Sequence, residues 1–444
     1  MGGAEAGRGP PELQFPALLR CLAEHLDRIT DTRQSAKVRY ALRDCYLSGF
    51  AMFYLQDPSL LEFQRRFQDQ IQSNNLSSVF DVQQIPSDSQ LREVVDRHDY
   101  RPLVGVFSEY LRRLQRSKEL EQYQFYDGKY LITVDGSEYF NSESVHCPLC
   151  LSRNKSSGSV EYYHQAVQPA LVHPDLRQVL PLAPEFIRMQ DGSNKQDCET
   201  NASRRVLERI RGEHPQLPMI IVADSLYSTA PCVGQLKELR FSFLLVAKPG
   251  DHKSLFTDIE GLRRGGMLER LERKEKTGRR YRRYLYEWTN QIALGADAKS
   301  PLVNFMQLSI FDAQGKKTFT NSWVTDIQLS GENVESLVRG ARARWKIENE
   351  GFNTLKNYGY HLEHNFGHGE KYLSEAFFVL NLLAFFVHQI LELVDELYQK
   401  ARAGFSARIE FWNAIRATFR FFLFAEWDQV LQRMNAPPQP MSPA

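Results

Sequence analysis

Two aspartates follow short apolar segments that have the composition of buried strands. Asp135 ends the segment YLITVDG, and Asp224 ends MIIVADS. Because residues that leave the carboxyl ends of parallel strands line one edge of an open sheet, we expect the two carboxylates to lie close together. Two neighbouring carboxylates repel each other unless they share a proton or a metal ion. Such oxygen ligands suit Mg²⁺ or Mn²⁺, and two such ions can clamp both oxygens of a phosphoryl displacement. The alternative is that each acid only caps its strand.

A third carboxylate is expected from a helix predicted over residues 341–356, ARARWKIENEGFNTLK. Glu348 and Glu350 are its candidate ligands. Arg344 and Glu348 are four residues apart and therefore share one face of the helix. A surface ion pair is the common outcome of such spacing. However, this helix also has apolar residues that predict tight packing, so its charged face should meet another part of the protein. The apolar residues are Trp345, Ile347, Phe352 and Leu355.

A basic segment from Arg263 to Arg283 overlaps and precedes a group of aromatic residues. A charge run of this kind is often a solvated surface. Cations that neutralise phosphates beside rings that stack on bases would instead form a nucleic-acid surface. Trp288 is the candidate ring for base stacking, with a core tryptophan as the alternative. The candidate phosphate contacts in this segment are Arg279, Arg280, Arg282 and Arg283.

Cys147 and Cys150 form a Cys-x-x-Cys pair, which is half of a typical zinc site. His146 and His164 are the candidates for further ligands of a structural Zn²⁺, and two reduced thiols in a loop are the alternative. The glycine-rich segment HLEHNFGHG holds three more histidines, the last of which is His368. For this segment we expect a loop near the active site or DNA rather than a metal site.

The elements that would position the carboxylates follow in the order three strands, helix, strand, helix, strand. The predicted strands are KYLITVDG, EYYHQAVQPALV, LRQVLPLAPEFI, PMIIVADS and FSFLLVAKPG, and the predicted helices are CETNASRRVLERIRGE and CVGQLKELR. Short, nearly continuous apolar strands are typical of a sheet that is buried on both faces. We therefore predict an α/β fold with a mixed sheet flanked by helices.

The rest of the chain divides by pattern. Segments before residue 125 have apolar residues at helical spacing, separated by Pro58, Pro86 and Pro102, and Ser87 stands where a helix N-cap would. The predicted units are a helical N-terminal DNA-binding domain at 1–125, the first part of the catalytic core at 126–250, a β-rich insertion at 251–328, the completion of the core with the glutamate-bearing helix at 329–395, and C-terminal helices with a tail at 396–444.

Two strand aspartates, one helix glutamate and this order of elements resemble the RNase H-like core of DDE transposases. The helix is similar to the signature of one bacterial insertion-sequence branch, Tyr-x2-Arg-x3-Glu-x6-Lys. Arg344 and Glu348 fit this spacing, whereas Ala341 stands at the Tyr position and Lys356 comes one residue late. One extra residue rotates a helical side chain by about 100°. Glu350 fits neither spacing, so Glu348 is the preferred third ligand and Glu350 the alternative.

The resemblance implies that Asp135, Asp224 and Glu348 hold Mg²⁺ or Mn²⁺, and that Arg344 and Lys356 hold phosphates. It also implies cleavage at transposon ends by water, followed by attack of the freed 3′-OH on target DNA. The implied partners are double-stranded DNA with terminal inverted repeats, target DNA, and a second copy of the chain as a dimer on DNA. The alternative is a catalytically inactive or domesticated transposase-derived DNA-binding protein, against which the full carboxylate triad argues. A carboxylate-pair glycosidase is a further alternative, against which the basic and aromatic segment argues.

Composition limits the classes of protein. Of the 444 residues, 42% are hydrophobic and 25% charged, which excludes a wholly disordered, collagen-like or coiled-coil chain. The 55 Lys and Arg residues balance 54 Asp and Glu residues, so net charge says nothing about partners. Six cysteines are too few to suggest a disulfide scaffold. The absence of a P-loop or GxGxxG motif gives no support for a nucleotide cofactor.

Two features predict the location of the protein. The N-terminal residues have no apolar region of the kind found in a secretory signal. The apolar run at 377–394 includes Asn381, His388 and Glu392, so we expect a buried helix rather than a membrane span. We therefore expect a cytoplasmic protein, associated with the nucleoid when it binds DNA.

Overall fold

The computed structural model describes residues 9–67, 70–188, 197–277 and 280–436. The N-terminal part is helical, as the apolar periodicity predicted. Its helices are α1 (Phe15–Leu26), α2 (Leu42–Tyr54), α3 (Leu60–Phe67), α4 (Gln70–Phe80), α5 (Asp88–Arg97) and α6 (Val104–Arg116). Ser87 caps α5, because its hydroxyl accepts a hydrogen bond of 3.3 Å from the backbone N–H of Gln90.

The central part is a mixed sheet with helices. Its elements are β1 (Gln124–Tyr126), β2 (Lys129–Ser142), β3 (Leu151–Asn154), β4 (Val160–Val172), β5 (Leu180–Pro181), β6 (Glu185–Ile187), α7 (Glu199–Glu213), β7 (Met219–Ala223), α8 (Ala230–Glu238) and β8 (Ser242–Val246). Strands β2, β7 and β8 are parallel, and β4 runs antiparallel to β2. The predicted third strand is divided into β5 and β6. Pro181 and Pro184 lack the N–H that a continuous ladder needs.

The segment predicted as a β-rich insertion begins with a helix and then forms a meander. Its elements are α9 (Lys253–Arg264), β9 (Glu269–Thr277), β10 (Arg280–Ala293), β11 (Leu302–Phe311) and β12 (Lys317–Thr325). Strand β12 pairs with β8, with Trp323 opposite Val246, so the meander extends the central sheet. Strand β9 was not predicted, because its residues, ERLERKEKT, are mostly charged. Within the described residues β9 pairs only with β10, and exposed charges are typical of such an edge strand.

Helices form the remainder of the chain. They are α10 (Val334–Arg342), α11 (Asn353–Asn357), α12 (Leu373–Val394), α13 (Glu396–Ala403), α14 (Arg408–Phe421) and α15 (Trp427–Asn435). A π-helical turn, Ile347–Phe352, lies between α10 and α11. The helix predicted over 341–356 is therefore interrupted, because α10 ends at Arg342, two turn residues follow, and the π turn precedes α11.

The sheet separates two hydrophobic cores. Side chains alternate along each strand, so Leu131 of β2 faces the smaller core and Ile132 the larger one. The smaller core includes α10 through Val334, Leu337 and Val338. The larger core includes the N-terminal helices, α7, α8 and α12 to α15. The prediction of a mixed sheet flanked by helices is confirmed.

The N-terminal and C-terminal helices pack into one helical body. The ring of Tyr54 lies 5.3 Å from that of Trp412 and 5.2 Å from that of Trp427, and Phe15 lies 5.3 Å from Trp427. Asn75 of α4 donates a hydrogen bond of 3.1 Å to the carbonyl of Phe419 in α14. Residues predicted to belong to separate units at 1–125 and 396–444 therefore share one core.

Among the described helices, α12 is the one that is long and apolar enough to cross a bilayer, and 89% of its most apolar stretch is buried. Its polar side chains find partners inside the protein. Glu375 accepts a bond of 2.6 Å from Arg188, and Asn381 donates to the carbonyl of Tyr360 at 2.9 Å. This packing is that of a core helix, as the sequence predicted.

Candidate functional site

The two aspartates lie on neighbouring parallel strands in the middle of the sheet. Asp224 follows the end of β7, whereas β2 continues past Asp135 to Ser142, so the prediction that a strand ends at Asp135 is wrong. Strands β2 and β7 run parallel, with Thr133 opposite Val222, and Asp135 and Asp224 come just beyond this pair. Asp224 accepts a hydrogen bond of 2.9 Å from the backbone N–H of Leu226, which fixes its carboxylate at the strand end. The parallel pairing of β2 and β7 thus brings both acids to the carboxyl end of β7.

Glu348 approaches the two aspartates from the π-helical turn. After α10, the N–H of Ile347 bonds to the carbonyl of Arg344 at 3.2 Å, which tightens the chain before the π turn. One nitrogen of Arg344, Nη1, lies 2.7 Å from Glu348 Oε1 and 3.5 Å from Asp135 Oδ2. Arg344 therefore links the glutamate of the turn to the aspartate of the sheet.

Asp135, Asp224 and Glu348 line one open cavity of about 520 Å³. Basic side chains line the same cavity: Lys248, Arg339, Arg342, Arg344 and Lys346. The ring of Trp345 also lines it and is 55% exposed, which is unusual for so large an apolar side chain. An acidic centre beside cations and an exposed ring suits a substrate with phosphates and bases.

The surroundings of Asp135 disfavour its ionised form. Burial raises the pKa of Asp135 to about 7, and the charges of Glu348, Glu199 and Asp224 also raise it, while Arg344 opposes the shift. A bound divalent cation would favour the ionised carboxylates, so the donor set fits Mg²⁺ or Mn²⁺. The carboxylates are spaced more loosely than a closed metal site. Among the described residues, one group of His and Cys side chains has its ligand atoms within 4.8 Å of one another. That group lies elsewhere in the protein.

Two residues named from the sequence lie outside this cavity lining. Glu350 lies beside Arg177, with 3.9 Å between the carboxylate and the guanidinium. Lys356 forms an ion pair of 2.8 Å with Glu363. Of the two candidate glutamates, Glu348 is therefore the one beside the aspartates.

Two further residues at the site were not assigned a ligand or phosphate role from the sequence. Glu199 is the first residue of α7. It accepts a bond of 3.1 Å from the hydroxyl of Tyr227 and packs against Gly136, which has no side chain to exclude it. Burial raises its pKa, and the charge of Asp224 contributes to the shift. Lys248 follows β8, so the rule that placed the aspartates at strand ends could also have found it.

The basic segment of the meander has mixed surroundings. Arg282 is exposed, and Arg283 pairs with Glu272 at 3.1 Å. Arg280 begins β10, and Arg279 lies outside the described residues. Among the described residues of this segment, five arginines form ion pairs with glutamates, which favours the alternative of a solvated charged surface. They are Arg263, Arg264, Arg270, Arg273 and Arg283.

Trp288 faces the smaller core and is only 4% exposed. Its ring therefore cannot stack on a base in this conformation, and the alternative of a core tryptophan describes its place. Side chains alternate along β10, so Tyr284 and Tyr286 lie on the same side of the strand as Trp288. The exposed tryptophan next to the carboxylates is Trp345.

The Cys-x-x-Cys pair lies in a separate cluster of ligand atoms. Cys147, Cys150 and His164 come together with His368, and all four side chains are buried. His146 is exposed and packs on Tyr162, with 4.3 Å between the ring centres. His146 therefore lies apart from the other three candidate ligands. The segment around His368 is a loop, as predicted, and it brings His368 to the position expected of His146. The conformation of the loop decides where the His146 side chain points, so its position next to Cys147 in the sequence does not predict that it is a ligand.

No protein-family model matches the sequence, and no curated protein matches it. Among solved structures, the chain is similar to one described as the cryo-EM structure of piggyBac transposase synaptic complex with hairpin DNA. The two chains are 10% identical, the similarity covers 98% of this chain and 86% of that chain, and the TM-score is 0.46. A similarity this weak assigns neither a family nor an activity, so a function has to be argued from the chemistry of the site.

Proposed function

We propose that the protein is a DNA transposase that cuts DNA at element ends and joins the freed 3′ ends to target DNA, using Mg²⁺ or Mn²⁺. The main support is that Asp135, Asp224 and Glu348 line one cavity together with five basic residues. Carboxylates bind divalent cations, and the surrounding cations neutralise phosphates. This combination suits phosphoryl transfer on a nucleic-acid backbone better than the hydrolysis of an uncharged sugar.

Asp135, Asp224 and Glu348 would hold the metal ions, with Glu199 behind Asp135. When bound, the ions would supply Lewis-acid stabilisation of the attacking and leaving oxygens of the phosphodiester. Arg344 holds Glu348 toward Asp135 in the structure. Once cations balance the carboxylates, its guanidinium would be free to bind a phosphate oxygen.

The DNA would lie across the cavity, with its phosphates near Lys248, Arg342 and Lys346. The exposed ring of Trp345 offers an apolar surface to a base or sugar at the same place. Arg282 and Arg283 of the meander would contact DNA outside the cavity. The roles of the N-terminal helices in DNA binding, of Lys356 in phosphate binding and of a dimer on DNA stay predictions from the resemblance.

The alternative function is that of a transposase-derived protein that binds DNA without cutting it. The same basic cavity would serve such a protein. The two functions differ in whether the carboxylates are needed for a covalent change in DNA, so one set of variants separates them.

The test uses a plasmid that carries the coding sequence with its flanking genomic DNA. We expect nicking or joining only with Mg²⁺ or Mn²⁺. Asp135→Asn, Asp224→Asn and Glu348→Gln should each lower this activity by about 100-fold or more, while DNA affinity stays within a few-fold of wild type. Glu350→Gln is the matched control on the same turn and should remain active. Mn²⁺ binding, followed by electron paramagnetic resonance, should weaken in the first three variants and stay unchanged in Glu350→Gln.

Other outcomes are equally informative. If Glu350→Gln is inactive and Glu348→Gln is active, the third ligand has been assigned to the wrong glutamate. If the wild-type protein binds DNA but leaves it intact with both metals, and its Mn²⁺ affinity equals that of Asp135→Asn, the binding-only alternative replaces the transposase.

A further inference from the structure

We infer that Cys147, Cys150, His164 and His368 bind one Zn²⁺ ion as a closed, structural site. The two cysteines come from the turn before β3, and His164 belongs to β4. His368 lies in the loop before α12, more than two hundred positions further along the chain. This site is separate from the carboxylate cavity and does not depend on the proposed transposase activity.

The distances between the ligand atoms match the edges of a tetrahedron around zinc. Zn–S bonds of about 2.3 Å and Zn–N bonds of about 2.0–2.1 Å require about 3.8 Å between two sulfurs and about 3.5 Å between sulfur and nitrogen. The sulfurs of Cys147 and Cys150 are 3.9 Å apart. Nε2 of His164 lies 3.5 Å from each sulfur, and Nε2 of His368 lies 3.3 Å from Cys150 Sγ. Four atoms at these separations enclose the space of a single ion.

Other occupants fit this geometry less well. A disulfide needs about 2.05 Å between its sulfurs, whereas Cys147 and Cys150 are 3.9 Å apart. A two-iron cluster with two cysteines and two histidines places these pairs on different irons. Here the sulfurs and the imidazole nitrogens lie within 4.8 Å of one another, as one ion requires. Two sulfur and two nitrogen ligands in a tetrahedron are typical of zinc.

The surroundings of the four ligands are those of a closed site. The backbone N–H of Cys147 points at Cys150 Sγ at 3.4 Å, a contact that stabilises a thiolate. Tyr139 stacks on His164, and Phe140 packs on His368 with 4.3 Å between ring centres. Because all four ligand side chains are buried, no open position remains for a substrate, and the role of the ion is structural.

The ion would tie two distant parts of the chain together. The loop before α12 follows the turn that carries Glu348, and the cysteines follow β2, which carries Asp135. The same loop is already anchored on α5, because Asp96 accepts backbone bonds of 3.0 Å or less from Glu370 and Lys371. Zinc would add a second anchor on the sheet side. It would therefore hold the segment after Glu348 against the strand of Asp135.

The test measures metal in protein purified without a polyhistidine tag and without added metal. We expect about one zinc ion per chain, measured by inductively coupled plasma mass spectrometry. X-ray absorption at the zinc edge should show two sulfur neighbours at about 2.3 Å and two nitrogen neighbours at about 2.0 Å. Cys150→Ser and His368→Ala should lower the zinc content at least tenfold. His146→Ala and Cys198→Ser are the matched controls, and both should keep the full content.

Several results would overturn the inference. These are wild-type protein that holds no zinc even after incubation with ZnCl₂, an absorption spectrum with a different ligand set, or zinc lost from His146→Ala and kept by His368→Ala. The absorption measurement on wild-type protein decides the ligand set even if the ligand variants fail to fold. DNA cleavage is not part of the readout, so failure of the proposed function leaves this test unchanged.

Discussion

Glu199 adds a fourth carboxylate to Asp135, Asp224 and Glu348. Its position depends on Gly136, since a Cβ there would contact the Glu199 carboxylate. Tyr227 donates a hydrogen bond to it at 3.1 Å, and Asp224 contributes to its raised pKa. These contacts hold Glu199 in place as a positioning residue. Its negative charge would attract the metal ions of the proposed site.

We expect Glu199→Gln to weaken Mn²⁺ binding by about 10- to 100-fold, because the variant keeps an oxygen acceptor for Tyr227 but loses the charge. Tyr227→Phe removes the hydrogen bond and keeps the charge, so its effect on Mn²⁺ affinity should be smaller. Titration with Mn²⁺ measures both variants. If Glu199→Gln lowers only the melting temperature and leaves Mn²⁺ affinity unchanged, Glu199 serves only as a cap of α7.

His214 makes the stability of the protein depend on pH. Burial, together with the charge of Arg112, lowers the pKa of His214 to about 4. In the unfolded chain this histidine binds a proton near pH 6.5, so between about pH 6.5 and 4 the unfolded state binds more protons. The stability contributed by neutral His214 is therefore complete above pH 6.5 and is lost as the pH falls toward 4.

We expect His214→Gln to remove this contribution. The difference in the free energy of unfolding between wild type and variant should shrink by about 1–3 kcal/mol as the pH falls from 7 to 4.5. Urea unfolding at several pH values measures this difference. A difference that is constant across the range would mean that His214 has an ordinary pKa in the folded protein.

At the scale of elements, the π-helical turn explains how Glu348 is presented. The N–H of Asn353 bonds to the carbonyl of Glu348, five residues back, so the turn holds one residue more than an α-helical turn. In a regular α-helix, the additional residue between Glu348 and Lys356 would rotate the lysine side chain by about 100°. The extra residue of the π turn offsets this rotation. The direction of the Lys356 side chain therefore cannot be predicted from α-helical geometry. In the structure its amino group contacts Glu363.

Helix α10 packs closely against Phe125 of β1. A Cβ at Gly340 would lie 2.5 Å from Cε1 of Phe125, so only glycine fits this contact without a shift of the ring. At Gly234 in α8, by contrast, a Cβ would meet no atom within 4 Å. The two helical glycines thus form a matched pair, one crowded and one open.

We expect Gly340→Ala to lower the free energy of unfolding by about 1–3 kcal/mol, because overpacking outweighs the gain in helix propensity. Gly234→Ala should raise it by about 0.5–1 kcal/mol. Denaturant midpoints compare both variants with wild type. Equal stabilisation by both alanines would show that α10 moves away from Phe125 at little cost.

At the scale of the whole molecule, the two ends of the chain form one helical body. Trp427 of α15 is 1% exposed and packs on Phe15 and Tyr54. The N-terminal helices therefore cannot complete their core without the C-terminal ones. Division of the chain into a separate N-terminal domain would expose these rings.

We expect Trp427→Ala to cost about 3–5 kcal/mol and to lower the stability of the N-terminal helices as well. Phe421→Ala is the control, because Phe421 is 71% exposed and its loss should change stability by no more than about 0.5 kcal/mol. Hydrogen exchange measures the N-terminal helices directly. Unchanged protection of α1 and α2 in Trp427→Ala would show that the helices are independent units.

The sequence by itself determined the apolar strand segments that lead to Asp135 and Asp224, and the pairing of Arg344 with Glu348. These features depend on local apolar pattern and on spacing within a few residues, which a single sequence contains. The same local signals predicted the N-terminal helices and the cap at Ser87. The sequence did not determine where the first strand ends, because β2 continues past Asp135 to Ser142 through its pairing with β4.

Only the tertiary structure decided that His368 joins Cys147 and Cys150, that Lys248 lines the cavity, and that the meander extends the central sheet. Contacts between residues far apart along the chain leave no periodicity in either segment, so nothing local distinguishes His368 from His146. The charged strand β9 was missed for a related reason, since it forms by pairing with β10 and not through apolar residues of its own.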